Sequence, residues 1–302
     1  MSHGGSSWAE DVRLDFSDNS NPIGPPRGFA EAVEEAVARR VHERFPAHLA
    51  EEVLAEYEGV RVVLFNGATE ALLYAFLELK PRRALIVWPT YGDYLRIADL
   101  LGVPARLIPP WGVESAEPGD LVVLCNPNNP TGAYLPRDWV IDMAYRLLHR
   151  GAKMLVDESF IDFVDGRSAA PDVPVVKSYG KFLAVPGLRI GAALFEIRRR
   201  PPWRINSIAD YAVWRIGAEA LRGHRKATLA YLAEEKPRVL SKLRRCVPVA
   251  PSAVHFHMAF SDPPPGVKVR PLLDKGIRGF RFSLKSPNQN NALIEAICGH
   301  VR

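Results

Sequence analysis

The chain has 302 residues, 47% of them hydrophobic and 24% charged, which describes a globular protein with room for one large domain and a smaller one. Its three cysteines, Cys125, Cys246 and Cys298, are scattered, odd in number and without C-x-x-C spacing, which excludes a disulfide-stapled miniprotein and points to neither a zinc site nor a redox dithiol. The net charge of +5 is spread along the chain with no nucleic-acid reading motif, and the mild excess fits anionic small molecules. The longest apolar runs are strand-length, and the first residues show no charged start before an apolar stretch. Neither a membrane span nor a signal peptide is expected, and the chain reads as cytoplasmic. A single glutamine, Gln289, against 26 prolines fits a heat-adapted source.

In chain order, apolar spacing predicts helices over Phe29–Val41 and Leu49–Tyr57. The β-branched run Val60–Phe65 predicts a strand that stops at Asn66-Gly67, before a helix over Thr69–Leu79. The same strand-to-helix pattern recurs at Ala84–Trp88 and Tyr91–Leu101. Leu121–Cys125 reads as a third strand, followed by a Pro/Asn/Gly loop and a helix at Arg137–His149. Lys153–Val156, Val173–Val176 and Leu188–Phe195 complete an alternating α/β pattern, the signature of a mostly parallel sheet flanked by helices. Charge and proline at Arg198–Trp203 break it. A helical stretch around Asp210–Arg245 follows, with a break or kink expected at Pro237. Strands at Ala253–Phe260 and Gly279–Leu284 and a terminal helix complete a smaller α+β unit. The organisation expected is an arm over residues 1–28, a large domain over 29–197 and a small domain over 198–302.

Three polar turns follow predicted strands, at the sheet edge where α/β folds bind ligands. Gly67-Ala68-Thr69 precedes a helix whose free N–H groups could cradle a phosphate, although taken alone a tight turn with a helix cap is the better reading. Asn126–Gly132 is a proline-fixed loop rich in amide side chains. Asp157 ends an apolar strand, where an acid costs free energy unless a cation pairs with it. The fourth element is Ser178-Tyr179-Gly180-Lys181, whose lysine can form a Schiff base, with Arg189 eight residues on.

Taken together, the order G-A-T-E, P-T-Y-G, N-N-P-T-G, V-D-E, S-x-x-K and P-G-L-R-I-G resembles the fold type I pyridoxal phosphate enzymes of the class I/II aminotransferase family. The resemblance implies pyridoxal 5'-phosphate as cofactor and no metal. Lys181 is then the Schiff-base lysine and proton carrier, and Asp157 the acid that pairs with the protonated pyridine nitrogen. Asn129 would bond the ring hydroxyl and Tyr91 stack on the ring. Gly67, Ala68, Thr69, Ser178 and Arg189 would surround the cofactor phosphate. Arg281 would grip the substrate carboxylate. The family also implies a homodimer.

The N-terminal segments His3-Gly4-Gly5 and Asp15–Pro26, with Asp157–Phe163 and Pro202–Asn206, resemble the threonine-phosphate decarboxylase branch of the family, from cobalamin biosynthesis. That branch implies decarboxylation of L-threonine O-3-phosphate, with His3 and Asn19 near the substrate phosphate. Histidinol-phosphate aminotransferases share the core, lack the H-G-G start and tend to carry tyrosine where this chain has Phe160. Two departures bear on the cofactor. Phe45 stands where relatives place a tyrosine that reaches the neighbouring subunit's cofactor, and Gly180 replaces a hydroxyl residue. The stretch Lys275–Arg281 is short, which leaves Arg278 in doubt as a second anion-binding arginine.

Overall fold

The structure, a computed structural model, describes residues 4–299; His3 lies outside them. Helices α1 (Phe29–Ala38) and α2 (Leu49–Glu58) lead into strand β1 (Val63–Asn66) and helix α3 (Ala68–Leu79). Next come β2 (Arg83–Val87), α4 (Asp93–Leu100), β3 (Ala105–Ile108), β4 (Asp120–Cys125), α5 (Arg137–His149) and β5 (Lys153–Asp157). The lysine segment follows as β6 (Val175–Ser178), the short α6 (Tyr179–Phe182) and β7 (Ile190–Ala193). The long α7 (Ser207–Leu243) then leads to β8 (Phe256–Ala259), β9 (Arg270–Pro271), β10 (Phe280–Ser283) and α8 (Pro287–Cys298).

Seven strands form one sheet in the order β1-β7-β6-β5-β4-β2-β3. Only β7 runs antiparallel to its neighbours, β1 and β6, so β1, β2, β4, β5 and β6 all end at one edge. Both faces are covered, as a parallel sheet requires. Alternate residues pack into two separate cores: Leu121, Val123 and Leu155 face α3 and α4, while Val122, Leu124, Met154 and Val156 face the opposite layer. That second core continues into Phe256, Phe280 and Phe282 of a three-stranded antiparallel sheet, β8-β10-β9. The N-terminal arm joins the smaller sheet, with Phe16 N–H donating to Lys268 O and Ser283 N–H donating to Phe16 O.

Four details differ from the sequence expectations. Strand β3 was not expected, because Ala105, Arg106 and Leu107 are exposed at the sheet edge and bury no apolar stripe. The helix expected from Tyr91 starts at Asp93, which leaves Tyr91 in the loop. Helix α7 is interrupted at Gly217, whose φ of 75° suits glycine, and not at Pro237, which lies within the helix. Cys246 and Cys298 are joined by a disulfide that ties the end of α7 to the end of α8. Their separation of 52 residues gave no local sign of the pairing. Among the described residues no helix is long and apolar enough to cross a membrane.

Candidate active site

A cavity of about 420 Å³ opens at the edge where the parallel strands end. Each strand end delivers part of its wall: β1 gives Ala68 and Thr69, and β2 gives Tyr91 and Asp93. Cys125 and Asn129 follow β4, Asp157, Ser159 and Phe160 follow β5, and Ser178 and Lys181 follow β6. Because β7 is antiparallel, its start contributes Arg189 at the same edge. Gly4, Ser17 and Asn19 of the arm and Arg281 of β10 close the other side. The described residues assigned cofactor or substrate roles from the sequence therefore converge on one cavity, with Gly67 directly behind the wall, whereas Phe45 and Arg278 do not line it.

Gly67 has φ 88°, and a Cβ there would lie 2.4 Å from Arg189 Nη2. A Cβ on Gly191 would lie 2.3 Å from Ala68 N. The two glycines thus let β7 and the guanidinium close against the start of α3. A concave anion cradle results, made of helix N–H groups, the Thr69 hydroxyl and Arg189.

Asp157 lies wholly inside the wall. Ser159 N–H and Oγ–H donate to its Oδ1 at 2.9 and 2.6 Å, and Tyr94 O–H donates to Oδ2 at 2.7 Å. Burial pushes its carboxyl above the usual range against these donors. Among the described residues no cation pairs with it. A protonated ring nitrogen would supply that missing charge, so the site fits a pyridinium cofactor. Tyr91 stands on the adjoining loop, its hydroxyl donating to Asp93 at 2.7 Å and its ring edge-on to Tyr94. Behind the lysine segment, Lys177 is buried between Glu58 at 2.6 Å and Asp162 at 3.0 Å, which anchors the end of β6.

On the opposite side, Arg281 is buried. It donates through Nη1 to Asn129 Oδ1 at 2.6 Å and through Nη2 to Ser17 O, while its Nε has no partner. Burial pulls its pKa down to about 9. Among the described residues it pairs with no carboxylate, and a buried guanidinium that lines a cavity fits a carboxylate ligand. Asn19 also lines the cavity, but its Oδ1 accepts from Ser283 Oγ at 2.6 Å and its O faces His255 Nε2 at 2.9 Å.

A second compartment of about 50 Å³ adjoins this side and shares Gly4, Tyr91, Asn129 and Arg281 with the main cavity. Arg270 and Lys275 line it as well. Arg270 pairs with Asp274 at 2.7 Å, whereas the Lys275 side chain, only 7% exposed, lies 3.9 Å from Asp274 and over the Trp88 ring.

Sequence reading missed Asp18, Asp93, Tyr94, Ser159, Arg270 and Lys275. Ser159 was findable, since a hydroxyl two residues after an aspartate is a common turn partner. Tyr94 sits at helical spacing from Tyr91 and reads as core. Asp93 follows Tyr91 at the end of β2 and reads as the first acid of its helix, whereas Asp18, Arg270 and Lys275 are brought in by long-range packing.

The family model for aminotransferase class I and II matches residues 8–200. The chain is 29% identical to the threonine-phosphate decarboxylase of Salmonella typhimurium, over 95% of this chain and 91% of that one. It is 30% identical to the histidinol-phosphate aminotransferase of Chlorobium luteolum, over 78% of this chain and 73% of that one. Its fold matches the histidinol-phosphate aminotransferase of Sinorhizobium meliloti, solved in complex with pyridoxal 5'-phosphate, at a TM-score of 0.78, with 18% identity and coverage of 97% and 91% of the two chains. By sheet topology, by the cavity at its edge and by these likenesses, the chain belongs to the class I and II aminotransferase family, fold type I enzymes whose cofactor is pyridoxal 5'-phosphate.

Proposed function

We propose that this chain decarboxylates L-threonine O-3-phosphate to (R)-1-amino-2-propanol O-2-phosphate in cobalamin biosynthesis. The observation that carries this reading is the pair of cationic anchors on the substrate side. Arg281, a buried guanidinium that lines the main cavity, is one, and Arg270 and Lys275, which line the adjoining compartment, form the other. Holding one water-sized group takes about 10–15 Å³, so that compartment has room for the oxygens of one phosphate. L-Threonine phosphate carries a carboxylate and a phosphate, one for each anchor. The Salmonella relative named for this reaction supports the same choice.

In this reading the arm (1–28), the cofactor-binding unit (29–197) and the smaller unit (198–302) each supply part of the site. Arg189, Thr69, Ser178 and the backbone at Gly67 and Ala68 hold the cofactor phosphate. Asp157 pairs with the ring nitrogen, Asn129 holds the ring hydroxyl and Tyr91 covers the ring face. Bound there, the cofactor would withdraw electrons from the substrate's Cα, and the placement of the substrate's charged groups would decide which Cα bond is weakened. Arg281 and the second compartment would fix which bond that is. Lys181 moves the proton. Asn19 holds the arm against β10, and His3, outside the described residues, would extend the phosphate side. The enzyme would work as a cytoplasmic homodimer, with exposed Phe45, stacked on Trp203 at 4.4 Å, turned toward the partner.

The second reading is a histidinol-phosphate aminotransferase, favoured by the relative of that name. Histidinol phosphate has a phosphate but no carboxylate and would leave one anchor unmatched, although 2-oxoglutarate brings two anionic groups. Product analysis separates the two. Carbon dioxide and a phosphorylated amino alcohol from L-threonine phosphate, with none from free L-threonine, support the decarboxylase. Glutamate formed from 2-oxoglutarate and a phosphorylated amine, without carbon dioxide, overturns it.

A further inference from the structure

The Lys181 amine is not free in the cavity. Its Nζ donates to Asp18 Oδ1 at 2.7 Å, and Lys285 Nζ lies 3.6 Å from the other oxygen, Oδ2. Asp18 belongs to the arm, far from Lys181 in sequence, yet it is held in register with the lysine segment. Asn21 N–H donates to Lys181 O at 2.9 Å, and Asn21 Nδ2 donates to Phe182 O at 3.0 Å. The arm thus grips the backbone of the lysine and its side chain together. Burial works against ionisation of Asp18, but Lys181, Lys285 and Ser20 outweigh it and hold its carboxyl well below the usual carboxylate range.

We propose that Asp18, backed by Lys285, is a positioning residue that docks the Lys181 amine as an ammonium whenever the lysine is not joined to the cofactor, and so keeps it loaded as the proton donor to substrate. The inference rests on Lys181 being the lysine that bonds the cofactor. Two steps follow in chemical terms. To join the cofactor, the ammonium releases one proton to solvent, the nitrogen lone pair bonds the carbonyl carbon and the carbonyl oxygen leaves as water. At the end of turnover, an electron pair left at the substrate carbon takes a proton from the ammonium, whose N–H bond breaks and leaves a neutral amine. An ionised carboxylate beside Nζ hinders the first step and serves the second.

Other charges face this pair. Arg281 on β10 faces Asp18 and Asp15 of the arm, Asp157 ends the strand next to the lysine segment on the same wall, and His255 is held neutral by burial, its pKa pulled down to about 3. None of these contacts Lys181 as closely as Asp18 does.

The test compares loading of cofactor-free protein with pyridoxal 5'-phosphate between pH 6 and 9, followed by visible absorbance. Borohydride trapping and mass spectrometry verify the label on Lys181. Asp18→Asn should load about tenfold faster at neutral pH, its profile moved to lower pH, because the amine loses the carboxylate beside it. Lys285→Met, which leaves Asp18 with Lys181 alone, should move the profile the other way, and Asp18→Glu should restore the parent behaviour in part. During turnover, Asp18→Asn should lower the rate of solvent deuterium uptake into the amine product. A residue that merely supports the fold would slow loading at every pH when replaced. That result, or an unchanged profile in both Asp18→Asn and Lys285→Met, overturns the inference. If the parent enzyme releases no carbon dioxide from any phosphorylated amino acid, the decarboxylase reading fails instead, and the loading profiles still decide the role of Asp18.

Discussion

The two walls of the cavity are built in different ways. The wall we assign to the cofactor, facing the one we assign to substrate, is made by five strand ends and one strand start of a single sheet, each delivering one to three side chains within a few residues of the strand. The substrate wall is made by the arm and the small sheet, joined by contacts between residues more than 200 positions apart, such as Ser283 with Asn19 and Arg281 with Ser17. The first wall is rigid because the sheet is. The second can exist only once both ends of the chain have folded together. Chemistry that many substrates share would thus sit on the fixed wall, and discrimination among substrates on the assembled one.

Changes on the fixed wall should be the most damaging. Lys181→Ala should abolish turnover with the fold intact, as read by circular dichroism, and borohydride should no longer trap cofactor on the chain. A trapped adduct on Lys177 or Lys153 in the parent protein would contradict the assignment. Asp157→Asn should cost about a thousandfold in kcat, the scale of losing one preorganised electrostatic partner. It should also change stability, because burial raises the Asp157 carboxyl above its ordinary range. In the cofactor-free protein the folded chain keeps a proton that the unfolded chain releases. Stability therefore falls as pH rises from the ordinary carboxylate value through the raised one. Asp157→Asn removes that loss, so the cofactor-free variant should melt a few degrees higher than the parent at neutral pH. Equal melting temperatures would mean that the parent carboxylate is already compensated.

This division also explains what was legible in the sequence. Asp157, Lys181, Asn129 and Thr69 stand beside strand ends, and a strand followed by a polar turn can be seen in a window of ten residues. Their positions in the fold followed from the alternation of apolar runs. Asp18, Arg270 and Lys275 have no such local sign: each is one charge in a loop or short strand, and becomes part of a site only through the register of the arm on the small sheet. Strand β3 was hidden because an exposed edge needs no apolar stripe. The Cys246–Cys298 bond was hidden because pairing depends on where α7 and α8 end.

That disulfide lies outside both walls and separates stability from activity. In the chain-entropy view, closing a loop of 52 residues stabilises the fold by about 4 kcal/mol. Reduction, or Cys246→Ser, should lower the melting temperature markedly while kcat at 25 °C stays within about twofold. A parallel loss of kcat at 25 °C would tie the end of α8 to the substrate wall.

The substrate wall should respond in KM. Arg281→Gln removes a charged hydrogen-bond donor to the substrate and should cost about 1.5–3 kcal/mol in kcat/KM, roughly ten- to a hundredfold. Lys275→Met should raise KM for L-threonine phosphate by about tenfold. The cofactor spectrum should be unaltered in Lys275→Met, because Lys275 lines only the smaller compartment. An altered spectrum with unchanged KM would move Lys275 from one wall to the other.

The smallest expected effect belongs to Gly180→Ser, on the fixed wall. Gly180 is buried in α6 between Ser178 and Lys181, and a Cβ there would meet Pro186 Cα at 3.5 Å, ordinary van der Waals contact. Its φ lies outside the left-handed region, so a side chain adds no backbone strain. The added hydroxyl would stand beside the proposed cradle of Thr69, Ser178 and Arg189. One more neutral donor to a phosphate is worth about 1 kcal/mol, so cofactor should dissociate about fivefold more slowly, with kcat unchanged. Faster dissociation would mean that the cradle is already filled by its backbone donors and that α6 has no room for a serine rotamer. Because the sheet fixes this wall, the gain should be independent of the arm and add to any change made at Lys275, and a double variant departing from additivity by more than about 0.5 kcal/mol would show that the two walls are mechanically coupled.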